Sequence, residues 1–351
     1  MTSVETRPPS SNPTNPKAGS VGAPRSNPTN PKAGSVGAPR WRIVLAFAII
    51  YLVWGSTFLA IRVGVHEVPP LLLAAMRFVA AGVAMFVWLR WKGTATPSRR
   101  EWLAASFLGF LIFVLDYGCL FWAEQRVPSG IAAVILATIP VFMTLSEIIF
   151  LRTQRLTARL GTALLVGLFG VAILMNNSLS LGEAPVDRAG AVALLIAAVS
   201  WSVAAAFNSK LPLPQSKPMS AAAQMLAGGV QLTILAALSG EFSGFRIQTV
   251  SFAAWFSLVY LTIAGSIVGF TAYVWLLHYE SPTKVGTYAY VNPVVAVIVG
   301  YLLGGEKIGP RTTVGTLLIL VSVIVITTMR AGTKLMTKQK EEQAQLSGAV
   351  D

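Results

Sequence analysis

Between Trp41 and Met329 the chain divides almost entirely into ten apolar runs, each close to the ~20 residues a helix needs to cross a hydrocarbon core. Their cores fall at 43–61, 71–89, 102–123, 128–151, 160–176, 189–207, 219–238, 252–277, 285–303 and 313–329. The joints are short and carry breakers: Val68-Pro69-Pro70, Val127-Pro128-Ser129-Gly130, Leu211-Pro212-Leu213-Pro214, Ser281-Pro282 and Gly309-Pro310. No joint is long enough to fold as a soluble domain. Lipid offers backbone N–H and C=O groups no partner, so runs of this length must satisfy their own as helices, and the expected class is an all-α polytopic membrane protein. Composition agrees, with 54% hydrophobic and 12% charged residues, where a soluble domain has about a quarter charged.

The first forty residues differ in kind. They are rich in Pro, Ser, Asn and Gly, and "SNPTNPKAGSVGAPR" stands at 11–25 and again at 26–40. Such a segment cannot bury enough apolar surface to offset its chain entropy, so residues 1–40 read as a disordered cytoplasmic tail with a tandem 15-residue repeat. A duplicated recruitment motif is the functional alternative. The apolar run that begins at Ile43 continues at full membrane length, so it reads as the first span and not as a signal peptide.

A net charge of +13 suggests nucleic acid until the basic residues are placed. With the N-terminus in the cytoplasm and ten alternating spans, twenty of the 27 Lys and Arg fall on the inner side. The outer loops hold Arg126, Arg188, Arg246, Lys307 and Arg311, while Arg62 and Arg77 lie within or at the edge of spans. This is the positive-inside bias, and it predicts a multi-pass protein of the cell (cytoplasmic) membrane with both termini in the cytoplasm. No nucleic-acid partner is needed to explain the charge.

The menu of enzymes is nearly empty. A single Cys119 excludes an intramolecular disulfide and a CxxC metal site, and His66 and His278 have no acidic or histidine partner at ligand spacing. There is no GxxxxGK[ST] loop for a nucleotide. No catalytic residue, metal site or cofactor is expected.

The chain repeats itself. Trp54 and Trp201 each precede a small hydroxylic segment in mid-span, 147 residues apart; Pro140 and Pro293 interrupt spans four and nine, 153 apart; Gly161 and Gly315 open spans five and ten, 154 apart. The near-constant offset predicts a first repeat at 41–180, a second at 187–330 and a C-terminal cytoplasmic tail at 331–351. Five spans is an odd number, so the second repeat enters the membrane from the opposite side. Inverted five-helix repeats are a plan of secondary transporters, with the substrate near the midplane where interrupted spans meet.

Three stretches also carry a resemblance. "YLVWGSTFLAIRVGVHEVPPLLLAAMRFVAAG", "WAEQRVPSGIAAVI" and "TYAYVNPVVAVIVGYLLGGEKI" resemble signature segments of the drug/metabolite transporter superfamily in its EamA-domain branch, in the correct order, over essentially Trp41 to Met329. The resemblance implies ten helices in two EamA repeats, both termini cytoplasmic, and export or exchange of small metabolites, often amino acids or related compounds. Two departures stand out. Asp116-Tyr117 replaces the expected Gly-Asn ahead of Gly118, and the first repeat has Leu151-Arg152 where the second keeps Gly305-Glu306.

Candidate cavity residues follow from depth. Trp54 lies about 16 Å into span one, far from the interface belts, with Ser56 and Thr57 beside it and Gly55 able to admit a close neighbour or a bend. Trp201 is its counterpart. Arg77 and Asp116 lie ~11 and ~12 Å below the same surface, so a contact between them, or a shared water-filled cavity, is expected. Tyr288 and Asn292 share a helix face, Pro293 leaves a backbone carbonyl free, and Pro140 interrupts span four. Arg62 at the outer end of span one is expected to snorkel to water, and Glu124 to pair at an exposed entrance with Arg126. Glu147 is expected near Arg152 as a structural pair. Gly265–Gly269 and Gly300–Gly304 are GxxxG pairs, which mark internal packing or a homodimer.

The sequence therefore predicts a secondary transporter, most simply an exporter or exchanger of small metabolites working by alternating access around a cavity walled by spans 1, 3, 4, 6, 8 and 9. Its partners are a small-molecule substrate and the bilayer; Asp116 and Glu124 are candidate carriers of protons as coupling ion, and a pure facilitator that leaves both ionised is the alternative. An uptake permease and a non-transporting scaffold or sensor are the alternatives.

Overall fold

The computed structural model describes residues 39–151, 157–176, 185–208, 210–280 and 285–347, and the side chains of these apart from Glu147, Leu151, Leu277, His278 and those from Arg330 onward. The duplicated tail, the Glu147 and Arg152 pair and His278 lie outside the described residues and side chains. Among the described residues, nine helices are long and apolar enough to cross a membrane: α1 (Arg40–Val65), α2 (Pro70–Trp91), α3 (Arg99–Glu124), α4 (Ser129–Phe150), α5 (Ala158–Met175), α6 (Arg188–Asn208), α7 (Lys217–Leu238), α8 (Phe252–Leu276) and α10, whose apolar part is Pro310–Met329. The tenth expected span, α9 (Tyr288–Gly304), is apolar but shorter. A further turn, Val285–Thr287, leads into it.

Several boundaries have a chemical cause. Pro70 starts α2, where its missing N–H costs nothing. Ser98 and Glu101 form a reciprocal capping box on α3, and Thr157, Ser216 and Ser251 cap α5, α7 and α8 through their hydroxyls. Gly305, in the left-handed region at φ 64°, ends α9 and turns the chain back at once into Glu306.

The packing obeys the internal repeat. α1 lies on α8 and α9, and its counterpart α6 lies on α3 and α4; α2 packs on α7, and α5 on α10. Small residues bring these helices together: a Cβ at Gly82 would lie 2.9 Å from the Leu226 amide, and one at Gly229 the same distance from that of Val79. Large apolar side chains such as Leu52, Val83, Leu165, Phe169, Ile196, Ile234, Ile263, Leu317 and Ile324 point outward, as a lipid-facing surface requires. The sequence pattern did not anticipate one feature. α3 widens into a π-helix at Phe110–Tyr117 and α8 does so at Leu261–Val268, positions 151 apart, so both repeats carry the same distortion. α4 is interrupted by a turn at Ala137 and Thr138, just ahead of Pro140. Pro293 instead sits inside continuous α9, whose break at Gly286 and Thr287 falls before it.

Candidate functional site

α1 and the π-helical part of α8 meet at mid-depth. Trp54 donates Nε1–H to the Gly265 carbonyl at 3.0 Å. Side chains larger than hydrogen do not fit there, because a Cβ at Gly269 would overlap Trp54 Nε1 and one at Gly265 would crowd Thr57 at 3.0 Å and Arg77 Nη2 at 3.2 Å. The Trp54 ring meets Tyr273 at 5.6 Å and Tyr288 edge-on at 5.1 Å, and those two tyrosines meet at 6.0 Å. Gly55 admits α9, with a Cβ there 3.2 Å from the Asn292 carbonyl. Asn292 is buried, and its Oδ1 has no hydrogen-bond partner.

Arg77 of α2 forms the floor of this cluster. It is 3% exposed. Nε donates to Ser266 Oγ at 3.0 Å, and that hydroxyl donates in turn to the Leu261 carbonyl, five residues back in the π-helical turn, at 3.1 Å. The guanidinium lies over the Phe78 and Tyr117 rings at 4.8 and 5.3 Å, while Nη1 has no partner. Trp201 of α6 reaches the far side of Tyr117, 6.5 Å between centroids. The cluster thus joins Trp54, Thr57, Arg77, Trp201, Tyr288 and Asn292, and draws on α2 where the sequence reading had named α4.

Other expectations meet mixed outcomes here. The Arg77 to Asp116 contact is not formed, because Arg77 turns toward α8 and aromatic rings while Asp116 stays on the π-helical part of α3. Asp116 is 4% exposed and its Oδ1 is without a partner. Ser56 donates to the Leu52 carbonyl at 2.6 Å and shares a 2.6 Å hydrogen bond with Tyr260, and Thr57 donates to the Trp54 carbonyl at 2.6 Å, so both hydroxyls are engaged. The GxxxG pairs pack inside the chain: Gly300 lies against Glu306 and Ser129, Gly304 against Leu59.

A second polar cluster closes the face opposite the termini, called distal here. Arg62 keeps 28% of its side chain exposed and is also tied inward. Its Nη1 donates to the Val127 carbonyl at 2.6 Å and its Nε lies 3.6 Å from Glu306 Oε1. Glu306 accepts from Ser129 N and Oγ, both at 2.7 Å, and from Gly130 N at 3.0 Å, so an acid of the second repeat caps α4 of the first. Two more acids cap across the same boundary. Glu67 accepts from Ser251 N and Oγ, both at 2.6 Å, at the start of α8, and Glu241 accepts from Leu72 N at 2.8 Å and Leu71 N at 3.4 Å at the start of α2. The Ser251 hydroxyl and amide hold the Glu67 carboxyl below its usual range; burial pushes the Glu241 carboxyl up, against the pull of its two N–H donors. Glu124 is no exposed partner of Arg126: it is 0% exposed, and Arg126 stacks on Trp122 at 4.0 Å.

Sequence reasoning missed Ser266, Tyr117, Tyr273 and the capping role of Glu306. Gly265–Gly269 and the "GGEK" turn were visible in the letters, but the π-helical widening that aims Ser266 at Arg77 has no signature in a hydropathy pattern.

Comparison with known proteins places this architecture. A family model described as the EamA-like transporter family matches residues 41–176 and 188–328, that is, both halves. The inner membrane transporter YedA of Escherichia coli (strain K12) is 36% identical over 79% of this chain and 88% of its own length. A protein of the same organism named "Probable amino-acid metabolite efflux pump" is 28% identical over 80% of this chain and 93% of its own. One solved crystal structure is similar in fold, with a TM-score of 0.54 at 20% identity, over 83% of this chain and 99% of that one. With both five-helix halves matched in order, the chain belongs to the EamA-like transporter family.

Proposed function

We propose that the protein is a secondary transporter of the inner membrane that exports small metabolites, amino acids among them, by alternating access, with both termini cytoplasmic and the distal face outside. The basic residues gathered on the terminal face support the orientation. The names of the relatives support inner-membrane export of amino-acid metabolites. The observation that carries the reading is the buried Arg77 guanidinium, held by Ser266 through one nitrogen while Nη1 stays unpartnered and the group lies over the Phe78 and Tyr117 rings. A solute carboxylate meets a donor there, and an apolar solute side chain meets Trp54, Tyr273 and Tyr288. Protons are the coupling ion in this reading, and the unpartnered Asp116 carboxyl is the candidate carrier at mid-depth. Both GxxxG pairs pack within the chain, which supports a transporting unit of one chain.

Growth of cells producing the protein, in inhibitory concentrations of amino acids, their analogues, nucleobases and lipophilic cations, tests this with Arg77→Ala alongside. Protection against carboxylate-bearing solutes that disappears in the variant is the expected result. Sensitisation in place of protection points to uptake, and no response from protein present in the membrane overturns the reading.

A further inference from the structure

The last turn of α3 holds an acid that no contact satisfies. Glu124 is fully buried, and neither carboxyl oxygen has a hydrogen-bond partner. The charged groups that act on it are Glu306, from the α9–α10 connection, and Arg62 of α1. Both are already engaged: Arg62 holds the Val127 carbonyl and Glu306, and Glu306 is held by Ser129 and Gly130.

The other elements packed against this end of α3 bring no substitute partner. α1 adds His66, whose Nδ1 meets the Arg62 carbonyl at 2.5 Å. α6 brings exposed Arg188, preceded by Asp187, which accepts the Gly190 N–H at 2.7 Å. α2 brings Arg77, committed to Ser266, and α4 carries no charged residue before Glu147 at its other end. Arg126, two residues along, turns to Trp122. An ionised carboxylate at Glu124 forfeits its hydration for nothing in this arrangement. One guanidinium acts on two carboxylates and is bound to only one of them.

We propose that Glu124 binds a proton that sets the state of the distal gate: neutral while Arg62 and the α4 N-terminus hold Glu306, ionised when Glu306 withdraws and Arg62 turns to Glu124. The inference rests on the alternating-access reading and adds to it a proton site at the gate, apart from the mid-depth cluster. The proton balance is simple. As the face opens, the Glu124 O–H bond breaks and its proton passes to distal water; Arg62 stays positive and exchanges one carboxylate for the other. Opening therefore releases one proton, so the open-to-closed ratio rises by up to about tenfold per pH unit. Acid outside shuts the gate, and alkali opens it.

The test measures the gate without any solute. Spin labels are placed on Gln125→Cys and Lys307→Cys, both exposed beside the gate, in a Cys119→Ala background reconstituted in lipid nanodiscs. Their separation is followed from about pH 5 to about pH 9. In the otherwise wild-type chain the long-distance population grows with pH. Glu124→Gln keeps the short distance throughout, Glu306→Gln shows the long distance even in acid, and Glu124→Asp still titrates. A distance that ignores pH in the wild-type chain, or a Glu124→Gln variant that titrates as wild type does, overturns the proposal. A flat profile in a protein that still exports solute removes the proton site alone, whereas a titrating gate in a protein that moves no solute removes the transporter reading.

Discussion

The Glu306 carboxylate sits on the first turn of α4, 2.7 Å from the Ser129 amide, and so ties the second half of the chain to a helix N-terminus of the first. The same carboxylate lies 3.6 Å from Arg62 Nε. One residue thus satisfies helix donors that would otherwise be orphaned and neutralises an arginine at the edge of the membrane. With Glu67 on α8 and Glu241 on α2, the distal face is fastened by three acids that reach across the repeat boundary.

Replacing Glu306 with Ala removes the charged cap and frees Arg62 together. The expected cost is about 2–4 kcal/mol of stability, since charge-assisted hydrogen bonds are about twice as strong as neutral ones. Glu306→Gln keeps an acceptor and should lose about half as much. Thermal unfolding of the purified protein in detergent measures both; equal midpoints for Ala, Gln and wild type would show that the cap carries no stability.

Arg77 separates binding from folding. Ser266→Ala strips Nε of its one acceptor and leaves a buried charge unsatisfied, with an expected loss of about 1–3 kcal/mol. Arg77→Met removes the charge at similar length, so it should fold at least as well as Ser266→Ala and export nothing. Expression, melting and transport of the two variants side by side decide the matter, and an Arg77→Met protein that still transports assigns Arg77 to structure alone.

Gly269→Ala drives a methyl into Trp54 Nε1. Overpacking of about 1–3 kcal/mol at the wall of the cluster should weaken solute binding by about tenfold to a hundredfold in Kd while the protein still reaches the membrane. The control is Gly161→Ala, where a Cβ meets nothing within 4 Å. Loss of transport in both variants would remove the significance of the Trp54 contact.

The Glu67 cap has a definite pH sign. Its carboxyl is held below the ordinary 4.5 by the Ser251 hydroxyl first and the Ser251 amide second. A depressed carboxylate contributes stability that is present above its unfolded range and lost as pH falls through the folded value. Amide exchange at the start of α8 should therefore be slower in wild type than in Glu67→Gln at neutral pH, with the difference lost as pH falls through the folded value. A difference that persists unchanged there is the contrary outcome.

The span pattern was legible because a bilayer tolerates little else: ~20 apolar residues bounded by Pro and Gly must form a helix, and such runs stand in the letters from Ile43 to Met329. The repeat was legible for the same reason, with Trp54 and Trp201, like Pro140 and Pro293, keeping nearly constant offsets. Depth along a helix could be counted too, and it put Trp54 and Arg77 in mid-membrane. Azimuth could not. Arg77 and Asp116 share a depth yet face different neighbours, because α3 is widened into a π-helix around Asp116 and because Ser266, on a helix nearly two hundred residues away, takes the guanidinium. Arg62 and Glu124 read as surface charges for the same cause: Glu306 meets Arg62, and Glu124 is buried, only after both halves have packed. The sequence by itself determined which segments lie in lipid, and how deep each polar residue lies, since hydrophobic burial depends on local composition. Only the tertiary structure decided which polar groups meet, because a hydrogen bond is a matter of direction and ångströms between helices far apart in the chain.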